Sequence, residues 1–310
     1  MKNILVEALQ NNGAKKNYFD NDISSFCYKT GNPVMDYAIG CQVDVYNEDD
    51  TVKESYPSLG IPNGSQVCCI GKPSTGKTTW AVGVASEITR SNPNIPQMAN
   101  AFTIHFDLEQ ATVNFTRVKQ ITRFKMSEID KEKKYLLKQG FYSISDIKSI
   151  IMQIYMEKIS DPGKFMYDTG KLDEFGKPIV IYVPTVVIID SIPQLATDVN
   201  LNDKKDRAKV EEVSSQTDRM RVTGEISRFY SEIIPYQKEA NIILISINQI
   251  KDRSQVGAMP SPAEMLYLGQ NESLNIEFYI LNLIIKNIRV LRIIKFKIYL
   301  VGSYIVIYRK

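Results

Sequence analysis

Residues Gly71-Lys72-Pro73-Ser74-Thr75-Gly76-Lys77-Thr78 match the spacing GxxxxGK[ST]. At ordinary residue frequencies a chance match in a chain this long is about a one-per-cent event. The flanks carry the rest of the signal. Val67-Cys68-Cys69-Ile70, just before the loop, is an apolar run of strand length, and Trp80, Val82, Val84, Ala85 and Ile88 follow it with helical periodicity. A strand that turns through glycines into a helix can curl its amide N–H groups around phosphate oxygens, with the positive end of the helix behind them. In that arrangement Gly71, Pro73, Ser74, Thr75, Gly76 and Thr79 help form the cradle. Lys77 neutralises β- and γ-phosphate charge, and the Thr78 hydroxyl is a ligand for Mg²⁺. Such a loop needs a strand in front of it and a helix behind it, so it points to an α/β fold.

The remainder of the chain continues the alternation. Ala101 to Asp107 reads as a second strand, followed by a charged helical stretch through Lys131-Glu132-Lys133-Lys134. Ser145 reads as the N-cap of a helix carrying Ile147, Ile150, Ile151, Ile154 and Tyr155 on one face. Asp161-Pro162-Gly163, Gly170 and Gly176 punctuate short β-type runs, predicting a hairpin insertion near 161–181. Thr185 to Asp190 (TVVIID) is a continuous apolar run ending in a carboxylate, the pattern of a central parallel strand. A long helical pattern covers about Gln216 to Glu239, and Ile242 to Ile247 is another buried strand, ending in Asn248-Gln249. Strands alternating with helices predict one doubly wound, mostly parallel sheet. Ahead of the core, residues 1–28 form a short N-terminal segment with Ile4, Leu5, Ala8 and Leu9 at helical spacing, expected as a subunit-docking helix. Thr30-Gly31-Asn32-Pro33 signals a turn, and the acidic stretch Asn47 to Glu54 an exposed loop or hairpin tip.

Composition narrows the class. With 310 residues, 44% hydrophobic and 24% charged, the chain can bury a sizeable core and is neither disordered nor a disulfide-stapled miniprotein. Cys27, Cys41, Cys68 and Cys69 form no CxxC pair and read as buried thiols in a reducing compartment, with neither zinc nor disulfides indicated. The first residues hold too short an apolar stretch for a signal peptide, so a cytoplasmic protein is expected. The net charge is +3, yet residues 276–310 carry seven bases against Glu277, or +6, which leaves −3 on residues 1–275. Any nucleic acid must therefore be met by local basic loops, because the net field does not help.

Three further positions complete the chemistry. A carboxylate at the carboxyl end of a parallel strand faces the ligand crevice, which makes Asp190 the candidate partner for Mg²⁺ on the nucleotide. Asp107-Leu108-Glu109, at the end of the second strand, offers a carboxylate, Asp107 or Glu109, able to polarise an attacking water. Asn248-Gln249, at the end of the last strand, offers a neutral amide able to hydrogen-bond a γ-phosphate. His105, the one histidine, lies inside a strand and reads as a packed core residue, and Trp80 as helix packing.

These segments together resemble phage RecA/UvsX-like recombinases. The resemblance lies in Thr30-Gly31-Asn32-Pro33-Val34-Met35-Asp36-Tyr37-Ala38-Ile39-Gly40, in Gly60-Ile61-Pro62-Asn63-Gly64-Ser65, in the phosphate loop, and in Phe106 to Ala111, Val186 to Leu195 and Ile245 to Arg253. The six follow one another in the family's order and span roughly residues 28–268. The resemblance implies a RecA-like ATPase core over 29–270. It implies a protein that binds ATP and Mg²⁺, assembles as a homo-oligomeric filament on single-stranded DNA, pairs it with double-stranded DNA, and hydrolyses ATP in DNA recombination and repair. By the same resemblance Lys77 and Thr78 hold the phosphates and Mg²⁺, Asp190 supports the metal, Glu109 is the catalytic carboxylate and Gln249 senses the γ-phosphate. Two DNA-binding loops are implied, one with Lys204, Lys205, Arg207 and Lys209, the other with Lys251 and Arg253. Bases of this kind meet backbone phosphates without reading sequence. If phage-encoded, the protein would work in the host cytoplasm.

Two places depart from the family. Phe115 stands near, but displaced from, the position of the adenine-stacking aromatic. The tail, 271–310, is rich in Ile, Lys, Tyr and Asn and matches none of the family's last core strands. It reads either as a β-hairpin of Ile293 to Val301 and Tyr304 to Arg309 around Gly302-Ser303, or as the end of an AT-rich gene read in another frame. It does not read as a membrane span, because every 18-residue window contains Lys or Arg, each costing about 3 kcal/mol near the centre of a span. Other functions share the loop and TVVIID: a replicative helicase or another RecA-fold motor, and a nucleotide-binding remnant with impaired hydrolysis. Helicases of this kind usually carry a separate helical N-terminal domain, for which the roughly 30 residues ahead of this core are too few.

Overall fold

The computed structural model of the chain describes residues 26–47, 49–72, 74–109, 115–130, 133–195, 216–249, 276–281, 293–301 and 304–309. Its centre is a run of five parallel strands. In chain order these are β5 (Gln66–Gly71), β6 (Phe102–Asp107), β7 (Tyr135–Gln139), β10 (Thr185–Asp190) and β11 (Ile242–Gln249), and in space they lie β5-β11-β10-β6-β7. β10 is buried at all six positions and β11 at all but Gln249. That is what continuous apolar runs require when helices cover both faces of a sheet.

Alternation along the strands divides the core in two. Val186, Ile188, Ile243 and Ile245 face helix α2 (Lys77–Ile88), with its Ala81, Val82, Val84, Ala85 and Ile88. Val187, Ile189, Ile242 and Leu244 face the opposite layer, where Ile147 and Ile151 of α5 (Ile144–Ser160) meet Phe229 and Ile233 of α7 (Gln216–Ala240). Each Val, Leu, Ile or Phe side chain among these, taken fully out of water, contributes about 1.5–3 kcal/mol. The architecture is therefore mixed α/β around a run of five parallel strands, compatible with a Rossmann-like or RecA-like core.

Several elements differ from the sequence reading. The helix expected to open at Ser145 begins two residues earlier. Ser143 is the N-cap: its hydroxyl accepts from the Asp146 amide and the Asp146 carboxylate accepts from the Ser143 amide. This reciprocal box closes only with a Ser–x–x–acid spacing, which Ser145 lacks. The charged stretch after the second strand is two short helices, α3 (Phe115–Thr122) and α4 (Met126–Asp130), and the chain then enters β7. Lys134 is buried there, donating from Nζ to the carbonyls of Met98 (2.6 Å) and Ala101 (2.9 Å). The segment read as a hairpin insertion forms α6 (Pro162–Phe165) and the antiparallel pair β8 (Met166–Leu172) and β9 (Pro178–Tyr182).

Before the core, β1 (Cys27–Tyr28) pairs with β4 (Ile61–Pro62), and β2 (Cys41–Tyr46) pairs with β3 (Val52–Ser58). Of the four cysteines expected to be buried only Cys69 is; Cys41 opens β2 at an exposed position, and Cys27 and Cys68 are half-buried. Between β1 and β2 runs α1 (Pro33–Ile39), capped by Asn32, whose side chain accepts from the Val34 and Met35 amides. Asp36 fastens the turn ahead of it, its Oδ1 accepting from the Thr30 amide (2.7 Å) and hydroxyl (2.6 Å). On the far side of β5 the backbone of the tail adds β12 (Ile276–Leu281), β13 (Ile293–Val301) and β14 (Tyr304–Arg309). β13 and β14 form an antiparallel pair, and β14 runs parallel to β5 with Arg309 in register with Gly71. The N-terminal segment 1–25 and the loops with Lys204, Lys205, Arg207, Lys209, Lys251 and Arg253 lie outside the described residues.

Candidate functional site

Parallel pairing places the carboxyl ends of β5, β11, β10 and β6 along one edge. Gly71 is in register with Gln249, and Asp190 with both Ile247 and Asp107. The strand carrying Asp190 is separated from the loop strand by β11 alone. Beyond β5 the chain turns through Ser74 (φ 59°) and Gly76 (φ 82°) into α2. The positive φ at Gly76 belongs to the left-handed region, which a residue without Cβ occupies at little cost. As N-cap, Gly76 supplies no side-chain acceptor, and the first turn of α2 holds no acidic residue. Gly76 thus offers the first amides of α2 no side-chain cap, an arrangement that suits a bound anion. Pro73 lies outside the described residues.

The loop side chains turn inward. Lys77 is buried, its Nζ donating to the Lys72 carbonyl at 2.7 Å, which also accepts from the Thr75 hydroxyl at 2.9 Å. Burial lowers the Lys77 ammonium from its ordinary value, while the carboxylates of Asp190 and Glu109 nearby work against that. The Thr78 hydroxyl donates to Asp190 Oδ2 at 2.6 Å. Thr79 accepts from Arg117 Nη2 on α3 at 3.4 Å.

Opposite the loop, Glu109 Oε1 accepts two hydrogen bonds, one from the Ser191 hydroxyl at 2.7 Å and one from Gln249 Nε2. Three strand ends, those of β6, β10 and β11, therefore converge on one carboxylate oxygen. Asp107, fully buried beside Asp190, accepts from Gln139 Nε2 at 3.0 Å. Of the residues singled out in the sequence, the structure thus brings Lys77, Thr78, Asp190, Glu109 and Gln249 to one edge. Phe115 opens α3, and its side chain lies outside the described part. Trp80 is partly buried against the α2-side core.

The sequence reading gave no role to Ser191, Gln139 or Arg117. Ser191 carried the one available signal, following Asp190 directly. Gln139 had none, because its strand was hidden in a run of charged residues.

The donor set suits Mg²⁺ on a nucleotide. Thr78 Oγ1 and Asp190 Oδ2 are hard oxygen ligands held together, and Mg²⁺ in such sites takes one or two protein oxygens, the rest coming from phosphate and water. Among the described residues no cluster of three or more His, Cys, Asp or Glu offers a separate metal cage, and no helix is long and apolar enough to cross a membrane. No family model and no curated protein matches the chain.

Proposed function

We propose that this chain is an ATP-dependent DNA strand-exchange protein of RecA type, binding ATP on the loop Gly71–Thr78 and hydrolysing it at Glu109. The observation that carries the hydrolytic half is the convergence of Ser191 and Gln249 on Glu109 across the crevice from Lys77 and Thr78. The DNA half rests on the six ordered segments and their resemblance to the recombinases.

The residues divide the work as follows. The loop amides and Lys77 hold the triphosphate, exchanging the Lys72 carbonyl for phosphate oxygens of full negative charge. Thr78 and Asp190 would hold Mg²⁺, which when bound neutralises charge on the β- and γ-phosphates. Glu109 accepts a proton from the water that attacks the γ-phosphorus. The bond to the β,γ-bridging oxygen breaks, leaving ADP and inorganic phosphate. Ser191 and Gln249 both grip Oε1, which leaves Oε2 to take that proton. Gln249 exchanges its bond to Glu109 for the γ-phosphate and so registers whether that phosphate is present. Strand β11 ends at Gln249, and the chain beyond it leads directly into the second candidate DNA loop, with Lys251 and Arg253. Nucleotide state and DNA grip are thereby coupled through one strand end.

Filter binding to single-stranded DNA tests the reading. Binding is expected to be stimulated by ATP, to strengthen with DNA length, and to lose its ATP stimulation in Lys77→Ala. Binding that ignores ATP and length in the unsubstituted chain overturns the strand-exchange assignment.

A further inference from the structure

The chain's single histidine sits behind the candidate metal position. His105 is fully buried on β6, on the same face as Asp107 and Asp190. Its Nδ1 lies 2.6 Å from the Tyr135 hydroxyl on the neighbouring strand β7. Its Nε2 is buried without a hydrogen-bond partner, and 3.8 Å away lies Asp190 Oδ2, the oxygen that accepts from Thr78. A buried ring nitrogen left unpaired is costly and calls for an explanation.

The Tyr135 hydroxyl is itself buried. Burial, with the charges of Asp190 and Asp107 adding to it, pushes this phenol well above its ordinary range, so it stays protonated and able to donate. A hydroxyl that donates to Nδ1 leaves the ring proton on Nε2. The N–H then points its positive end at the carboxylate from a distance that a small rotation of Asp190 would close.

We infer that His105, with its tautomer set by Tyr135, is a positioning residue that orients Asp190 for Mg²⁺ from behind the site. The inference rests on the nucleotide reading above and adds residues which that reading does not use. A carboxylate beside a metal is commonly held by an outer hydrogen bond, and loss of such a partner weakens metal affinity by roughly 10- to 100-fold. The arrangement also accounts for a histidine and a tyrosine buried side by side next to Asp190.

Because there is one histidine, long-range ¹H–¹⁵N NMR of the whole chain reports this ring alone. The expected spectrum is that of the Nε2–H tautomer, shifting toward a tautomer mixture in Tyr135→Phe. A ring protonated on Nδ1 in the unsubstituted protein overturns the inference, since Nε2 then has nothing to donate. In parallel, binding of a fluorescent ADP analogue is titrated with Mg²⁺. His105→Phe and Tyr135→Phe are expected to raise the half-saturating Mg²⁺ about tenfold and to leave Mg²⁺-free nucleotide binding unchanged. Should His105→Phe fail to fold, Tyr135→Phe carries the comparison, since it retains the ring and removes one oxygen. An unchanged Mg²⁺ requirement in a folded variant overturns the role of His105 alone. A wild-type chain that binds no nucleotide overturns the parent reading and this one with it.

Discussion

Glu109 Oε1 is shared by two donors that arrive from different strands, and that sharing fixes the carboxylate more tightly than either bond could alone. Removing the Ser191 hydroxyl lets the group rotate about the remaining contact. Misplacement of a reacting group by about 1 Å costs up to roughly 10²-fold in rate. Ser191→Ala is therefore expected to lower the rate of ATP turnover by about 10- to 100-fold with KM little changed, and Ser191→Thr to recover most of it. Steady-state kinetics on the three proteins checks this. At this scale the sequence was legible where a residue type is bound to a local spacing: Lys77 and Thr78 inside the loop, Asp190 at the end of an apolar run. It was not legible where partners meet only through strand register. Ser191 reaches Glu109 across 82 positions and Gln249 reaches it across 140. Nothing local marks either contact. His105 was read as packing, and it is fully buried, yet its neighbours are Tyr135 and Asp190.

At the scale of elements, the joints outside the sheet depend on a few buried polar groups. Asn241 follows α7 with φ 51°, in the left-handed region that asparagine tolerates better than most residues. Its Oδ1 accepts from the Gly64 amide at 3.2 Å, and its Nδ2 donates to the Tyr28 hydroxyl and the Tyr182 carbonyl, both at 2.6 Å. One side chain thus ties the approach to β5, the strand β1 and the end of β9 to the C-terminus of α7. Asn241→Ala leaves buried groups unpaired and adds backbone strain, a loss of about 2–4 kcal/mol. Asn241→Gly, which removes the strain and keeps the lost bonds lost, is expected to cost less. Urea denaturation of both variants gives the comparison. Element types were largely readable from periodicity, and boundaries less so. Ser143 rather than Ser145 caps α5 because capping depends on which side chain can close a reciprocal pair. The start of β7 is hidden because the lysine just before it, Lys134, is buried through carbonyl acceptors that no sequence window reveals.

For the whole molecule, the sheet explains why such distant residues form one site. Parallel strands deliver all their carboxyl ends to the same edge, so the loop after β5, Asp190 after β10 and Glu109 after β6 meet without any contact between neighbours in sequence. The alternation of strand and helix made this arrangement readable in advance. The place of the tail was not readable. A β-type run announces a strand but names no partner, and β14 takes its position beside β5 through pairing alone. At the centre stands the proposal that a triphosphate held by Gly71–Thr78 is cleaved with Glu109 as the base. Its most direct test is the single-turnover release of phosphate from bound ATP, measured for the unsubstituted chain and for Glu109→Gln with single-stranded DNA present. Equal ATP binding by the two proteins is expected, with a release rate about 10²- to 10⁴-fold lower in the variant. Equal release rates, or a chain that binds no ATP, would contradict it.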